Sequence, residues 1–358
     1  MRRALLAVTL ALFVLGGCGP APRGIGTSSP ATSASPVPTP ASTATATASA
    51  PPAPSPTPVV VRAGAPAWVA VSVATEWRSP SSPRPVDAPA LAAPAALREW
   101  LAGLSPADQA GLIDRADSQV LLGDRVDVTA VSGSWVQVVV PDQATPLDAR
   151  GYPGWIPLAQ LSALEPPASG SIATVTDPTT WLLRGGLPVV EVAFGTRLPV
   201  VDQAASIVRV GLPGGEVLDA PTSAVTITPA GTPARGSAGA AVVATARLFL
   251  GVRYLWAGTS AFGFDCSGLV YNVFRVHGVT LPRDAQDQAL VGTAVARQNL
   301  QPGDLVFLAR GGVVHHVAIY IGSGTLLDSP DLGRGVQIVS MAAEPYASEF
   351  SGARRVLA

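Results

Sequence analysis

Cys266 stands in Gly263-Phe264-Asp265-Cys266-Ser267-Gly268-Leu269-Val270, a setting that suits a nucleophile. The chain has two cysteines. The other, Cys18, follows a basic start (Arg2, Arg3) and an apolar run, in Leu15-Gly16-Gly17-Cys18, the pattern of a secretion signal that ends at a cysteine to be lipidated. With Cys18 so used, Cys266 has no disulfide partner. A lone thiol outside the cytoplasm is an oxidation liability unless it is used or deeply buried. From Asp265 or Cys266 onward the pattern is helical, with Leu269, Val270, Val273 and Phe274 on one face and His277-Gly278 as the stop. In a first helical turn, unpaired N–H groups and the positive dipole end favour a thiolate, the nucleophilic form. Asp265 is expected to cap that helix, and Gly268 to leave room for a substrate beside the sulfur.

A cysteine nucleophile needs a base, and the chain has three histidines. His277 lies about three turns, roughly 16 Å, along the same helix, out of hydrogen-bond reach of Cys266. The dipole at the helix end is expected to stabilise its imidazolium in a structural role. His315 and His316 lie in Val313-Val314-His315-His316-Val317-Ala318-Ile319-Tyr320-Ile321-Gly322. In a strand they point to opposite faces, so only one can meet Cys266, and alternation alone does not select it.

The elements that must hold these residues occupy the last part of the chain, 236–358. Helical signals over 239–250 and from Cys266 precede strand patterns at 305–308, 313–321, 326–328 and 336–339, which predicts an α+β domain. Upstream, short strand-like runs with Gly and Pro punctuation predict small all-β barrels or sandwiches. A first block, 61–166, reads as strands at 69–73, 118–122, 125–131, 134–140 and 155–157, with a short helix near 95–104. A second block, 167–230, reads as strands at 171–175, 187–194, 197–201, 206–210 and 224–227.

The N-terminal end is of another kind. Residues 1–17 form the secretion signal, whose apolar run is shorter than the ~20 residues of a membrane span. Residues 18–60 are mostly Ala, Pro, Ser and Thr with almost no charge. Such a segment buries too little to offset its ordering entropy and reads as an extended tether of roughly 100 Å at most. These features predict an extracytoplasmic protein held to a membrane by lipid on Cys18. The net charge of −1 offers no basic field for nucleic acid. All 23 basic residues are arginine, which excludes a Walker-type phosphate loop and a lysine Schiff base.

Several phrases of the last domain recur together in one order: Tyr254-Leu255-Trp256-Ala257-Gly258, Gly263 to Val270, Leu281-Pro282-Arg283, Gln288, Leu300 to Phe307, and His316 to Gly322. In that order they resemble the NlpC family of cell-wall cysteine peptidases, which have a papain-like core. The resemblance implies Cys266 as nucleophile and His316 as general base, and leaves His315 without a catalytic part. It places the third polar group at Asp328, where the family often has histidine; an aspartate can still accept from an imidazole N–H. It also places Tyr254 beside the sulfur, where its hydroxyl and the Cys266 N–H could bind an oxyanion. No metal or cofactor belongs to this chemistry.

The upstream phrases Gly151-Tyr152-Pro153-Gly154-Trp155-Ile156-Pro157 and Phe194 to Pro199 resemble bacterial SH3-like domains. The implied architecture is two small all-β SH3-like barrels followed by an α+β papain-like domain. Relatives so built cut peptidoglycan stem peptides between γ-D-glutamate and a diamino acid and need a free N-terminal L-alanine. The counterparts of Asp265 and Ser267 hold its amine. Two departures bear on that requirement: Ala285 stands where a serine is usual, and Leu122 at the position read for a tyrosine from the first barrel. The alternatives are a catalytically degenerate wall-binding lipoprotein and a related thiol amidase or acyltransferase on the same scaffold.

Overall fold

Three large antiparallel sheets follow one another along the chain, each with apolar side chains directed into a core. The computed structural model describes residues 60–231 and 238–357. The expected signal, Cys18 and nearly all of the tether lie outside the described residues.

The first sheet contains β1 (Pro66–Val69), β2 (Val73–Trp77), β3 (Ala116–Leu121), β4 (Arg125–Ser132), β5 (Trp135–Val140), β6 (Tyr152–Pro157) and β7 (Leu161–Ser162), in the order β3-β2-β6-β5-β4-β1-β7. Residues 69–73, expected as one strand, are a corner between β1 and β2. The Ala70 N–H bonds to the Gln160 carbonyl, and the Ser72 carbonyl accepts from Leu122 N–H. Three short helices interrupt the sheet between β2 and β3: α1 (Ala88–Leu91), α2 (Leu97–Gly103) and α3 (Pro106–Ala110). Helix α2, where a helix was predicted, buries Leu97, Trp100 and Leu101, and the Trp100 ring lies 6.3 Å from that of Trp77.

The second sheet contains β8 (Ser171–Val175), β9 (Thr179–Arg184), β10 (Leu187–Ala193), β11 (Arg197–Gln203), β12 (Ile207–Gly211), β13 (Val217–Pro221) and β14 (Val225–Pro229). Its order is β10-β9-β13-β12-β11-β8-β14. Counted within each sheet, the two orders are the same, although the strands share little sequence. Strands β9 and β13 were not anticipated.

The last part begins with α4 (Gly239–Arg247), a hairpin of β15 (Thr259–Ser260) and β16 (Gly263–Phe264), α5 (Cys266–Val276) and α6 (Ala285–Gln288). A sheet of β17 (Thr293–Ala294), β18 (Leu305–Arg310), β19 (Val313–Gly322), β20 (Thr325–Asp328), β21 (Gln337–Ser340) and β22 (Phe350–Arg355) completes it, in the order β17-β22-β18-β19-β20-β21. Helix α5 buries the predicted face, Leu269, Val270, Val273 and Phe274, in the core it shares with Phe307, Val317 and Ile319.

Single side chains join these units. Leu122, just after β3, is buried in the second sheet's core with Ala173, Leu182 and Leu198. Gly123 follows at φ +84°, where a Cβ would lie 2.8 Å from Leu198 Cδ2. Phe194, just after β10, packs into the last core, edge-on to Phe249 at 5.1 Å. Each such side chain contributes about 1.5–3 kcal/mol by burial. Arg275 of α5 meets Asp124, in the turn between β3 and β4, at 2.6 Å.

Candidate active site

The β15–β16 hairpin delivers the chain to Cys266, the first residue of α5, whose thiol is half-buried and outside any disulfide. Asp265 caps the helix as expected, its Oδ1 accepting from the Gly268 N–H at 2.7 Å. Gly268 has a different reason from the one expected. A Cβ there would sit 2.0 Å from the Gly258 carbonyl oxygen, so the glycine lets the helix approach the preceding loop.

Strand β19 presents its two histidines to opposite sides. His315 is exposed and bonds to Glu349 Oε2 at 2.9 Å, whereas His316 is buried. His316 Nε2–H donates to Asp328 Oδ1 at 2.6 Å from the neighbouring strand β20, leaving Nδ1 for the Cys266 sulfur. Burial opposes the imidazolium, but the sulfur's charge and the hydrogen bonds to Asp328 and Cys266 outweigh it, holding the His316 pKa well above its ordinary value. Asp328 is fully buried, and its second oxygen accepts from the Tyr346 hydroxyl. The Tyr346 ring stands edge-on to His316 at 6.4 Å. Burial, and then the Asp328 charge, push the Tyr346 phenol upward, so it stays a donor. Tyr254 is buried nearby; burial first, then the charges of Cys266 and Asp265, raise its phenol as well.

Beyond Asp265 lies a buried polar cluster shared with the first sheet. Arg283, in the Leu-Pro-Arg phrase, bonds to Asp265 Oδ2 at 2.5 Å and Oδ1 at 3.1 Å. It also reaches Ser267 Oγ at 2.9 Å and Ser118 Oγ of β3 at 2.9 Å. Gln288 fixes this loop to α5, its Nε2 donating to the Pro282 and Ser267 carbonyls at 2.8 and 3.1 Å. The Tyr152 hydroxyl of β6 donates to Asp284 Oδ2 at 3.1 Å, and burial raises the Asp284 pKa against the pull of Arg283.

Glu76 belongs to the same cluster and escaped the sequence reading. Its register partner on β3 is Ser118, the residue that meets Arg283. It is 0 % exposed, and neither carboxylate oxygen has a hydrogen-bond partner in the structure. Burial, then Asp117, drive its pKa well above the usual carboxyl range, with Arg283 opposing. Room for it comes from Gly154, where a Cβ would lie 2.9 Å from Glu76 Oε1. The available signal was a carboxylate inside Val73-Ala74-Thr75-Glu76-Trp77, a strand with every residue buried.

Two expectations are corrected here. Leu122 does not occupy a tyrosine's place beside Asp265, since it packs into the second sheet's core; the first sheet supplies a tyrosine through Tyr152. His277 does end α5, but burial lowers its pKa and so favours neutral imidazole over the expected imidazolium.

Comparison with known proteins agrees with this geometry. Residues 251–355 match the NlpC/P60 family, and residues 175–225 match the YKFC SH3b2 domain. The chain is 37% identical over 302 residues to a gamma-D-glutamyl-L-lysine dipeptidyl-peptidase of Bacillus cereus, covering 81% of this chain and 91% of the relative. The chain belongs to the NlpC/P60 family. A protein of the same description from Bacillus subtilis is 36% identical over 293 residues, covering 80% of this chain and 97% of that one. The crystal structure of an NlpC/P60 family protein from Bacillus cereus superimposes with a TM-score of 0.78 at 36% identity, over 82% of this chain and 100% of that one. The protein is therefore an NlpC/P60 cysteine peptidase preceded by an SH3b domain. In this NlpC/P60 chain, Cys266, Asp265 and Ser267 come from α5 and its cap, His316 and Asp328 from adjacent strands, and Tyr254 from the loop before the hairpin. A sulfur at a helix N-terminus beside a buried, doubly bonded imidazole is a constellation able to carry out acyl transfer.

Proposed function

We propose that this NlpC/P60 peptidase is a γ-D-glutamyl–diamino acid dipeptidyl-peptidase, acting on peptidoglycan stem peptides that present a free N-terminal L-alanine. The observation that carries the proposal is Glu76. A buried carboxylate without a partner is costly unless a cation arrives. Its cluster reaches Cys266 through Arg283 and Asp265, and the cation suited to a peptidase cleft is the substrate's terminal ammonium. Asp265 is already committed to Arg283 and Gly268. In this reading Asp265 and Ser267 line the amine site, Tyr152 adds a hydroxyl, and Glu76 supplies the charge. The names of the two Bacillus relatives, gamma-D-glutamyl-L-lysine dipeptidyl-peptidases, support the same bond specificity.

In the proposed reaction the Cys266 thiolate attacks the γ-carbonyl carbon of the D-glutamyl residue. The carbonyl electron pair moves onto oxygen, held by the Cys266 N–H and the Tyr254 hydroxyl. As the C–N bond breaks, His316 gives its Nδ1 proton to the leaving amine of the diamino acid. Water then attacks the thioester, His316 takes its proton, and the thiolate departs. Asp328, itself held by Tyr346, keeps the imidazole oriented throughout.

The shared strand order supports reading the first sheet as a second SH3-like barrel, so that two barrels precede a papain-like α+β domain. The basic start, apolar run and Cys18, followed by the Pro-, Ala-, Ser- and Thr-rich segment, support reading the enzyme as extracytoplasmic and anchored through lipid on Cys18. The test is digestion of L-Ala-γ-D-Glu-L-Lys by wild type and Cys266→Ala. Release of L-Ala-γ-D-Glu by wild type alone is expected; equal cleavage by both, or by neither, overturns the proposal.

A further inference from the structure

A cavity of about 790 Å³ opens at the far end of α5 from Cys266, between the second sheet and the C-terminal ends of α4 and α5. Its size falls in the ~300–1,000 Å³ range of small-ligand sites. No residue of the amine cluster or of the Cys266–His316–Asp328 set lines it.

One wall is a regular array of hydroxyls. Thr226 of β14 is the register partner of Thr174 of β8, and Thr174 is in turn the partner of Arg197 on β11. Alternation along the strands brings Thr176 and Thr228 to the same face, and all four threonines line the cavity. Their spacing is about 5 Å across the strands and about 6.6 Å along them. Another wall carries Thr245 of α4 and the apolar Leu248 just past that helix.

The charges are nearly balanced. Arg275 lines the cavity with a side chain 6% exposed and is paired with Asp124 at 2.6 Å and Asp142 at 3.2 Å. Its Nε is buried and has no hydrogen-bond partner in the structure. Arg197 is exposed at the rim. The ends of two helices present carbonyl acceptors there, which disfavours an anion. Each threonine hydroxyl both donates and accepts.

We propose that this cavity is a binding site for an uncharged oligosaccharide. Sugar hydroxyls would exchange hydrogen bonds with the threonine array, and a sugar's C–H face would rest on Leu248. The site would hold the enzyme on a glycan independently of peptide cleavage, and the proposal does not rest on the peptide specificity proposed above.

The test is calorimetric titration of the full chain with an N-acetylglucosamine trimer and with maltotriose. Wild type and Cys266→Ala are expected to bind at least one of them saturably, with equal affinity. Thr174→Val/Thr226→Val, which removes two hydroxyls at nearly constant shape, should weaken binding about tenfold, as expected for two neutral hydrogen bonds. It should cleave soluble peptide at the wild-type rate. If the double variant is unstable, Thr226→Val alone, at an exposed position, should weaken binding about threefold. Lack of saturable binding to both sugars, or unchanged affinity in a folded variant, overturns the proposal. Loss of peptide cleavage with sugar binding intact would count against the peptidase reading only.

Discussion

Replacing Glu76 by Gln separates what this carboxylate does for the fold from what it does for the substrate. Glu76 is fully buried without a hydrogen-bond partner in the structure, and its pKa is raised above the ordinary 4.5. A carboxyl group whose folded pKa is raised contributes stability below its unfolded pKa, and that contribution is lost as pH rises toward the folded value. Glu76→Gln has no such loss. It should match wild type in acid and become the more stable protein as pH rises from about 4.5 through the elevated pKa, measured by urea denaturation at several pH values. Catalysis should move the other way. A charge-assisted hydrogen bond to an ammonium is worth about 1.5–3 kcal/mol. At about 1.4 kcal/mol per decade, kcat/KM on L-Ala-γ-D-Glu-L-Lys should fall about 10- to 150-fold. The N-acetylated peptide, which has no ammonium for Glu76 to meet, should be cut equally by both proteins. In wild type, KM for the free-amine peptide should also fall with rising pH, because binding the ammonium requires Glu76 to release its proton; in Glu76→Gln this dependence should vanish. An equal loss on both peptides, or undiminished activity on the free-amine peptide, refutes the assignment of Glu76 to the amine.

Other predictions concern the groups around Cys266. The raised His316 pKa keeps the imidazolium populated, so kcat/KM should decline as pH rises only above the ordinary histidine range; Asp328→Asn should draw that decline to lower pH, and a pH–rate profile unchanged by the substitution contradicts it. Tyr346→Phe removes one donor from the buried Asp328 and should cost about 1.5–3 kcal/mol, divided between unfolding free energy and kcat, with KM unchanged; a pure KM effect would remove Tyr346 from the positioning of Asp328. Arg283→Met strands the Asp265 carboxylate and should destabilise the protein by about 3–5 kcal/mol in chemical denaturation, much of it recovered in Arg283→Met/Asp265→Asn.

Cys266 was legible as a candidate nucleophile because the cap and helix start at Asp265-Cys266 are nearly decided by their own residues; the alternating strand at 313–321 left His315 and His316 open, and only the family resemblance pointed to His316. Asp328 too came from the resemblance, and the structure puts it on β20, the strand that follows β19 directly. The buried polar cluster beyond Asp265 was not visible. Glu76, Ser118, Tyr152 and Arg283 meet only through strand pairing and the docking of the last part on the first sheet, and no local pattern encodes that approach. Leu122 was misplaced because an apolar strand pattern does not reveal which of two cores a side chain enters. The run at 69–73 looked like one strand because a corner with both legs buried keeps apolar residues throughout. Strand β22 was missed because Phe350-Ser351-Gly352-Ala353-Arg354-Arg355 has weak strand character of its own and is ordered by pairing with β18.

Leu122 and Phe194 also govern how far this molecule can be taken apart. Each leaves the unit that precedes it and fills a place in the next, as a dovetail tongue enters its socket. A catalytic piece excised from residue 238 onward would lack Phe194, and the hole between Phe249 and its neighbours would cost about 3–5 kcal/mol, a large part of a typical domain's stability. Exchange of either seven-stranded unit for a homologue would strip a core of its tongue in the same way unless the joint residue travelled with the socket. The chain is therefore modular in its topology but not in its thermodynamics.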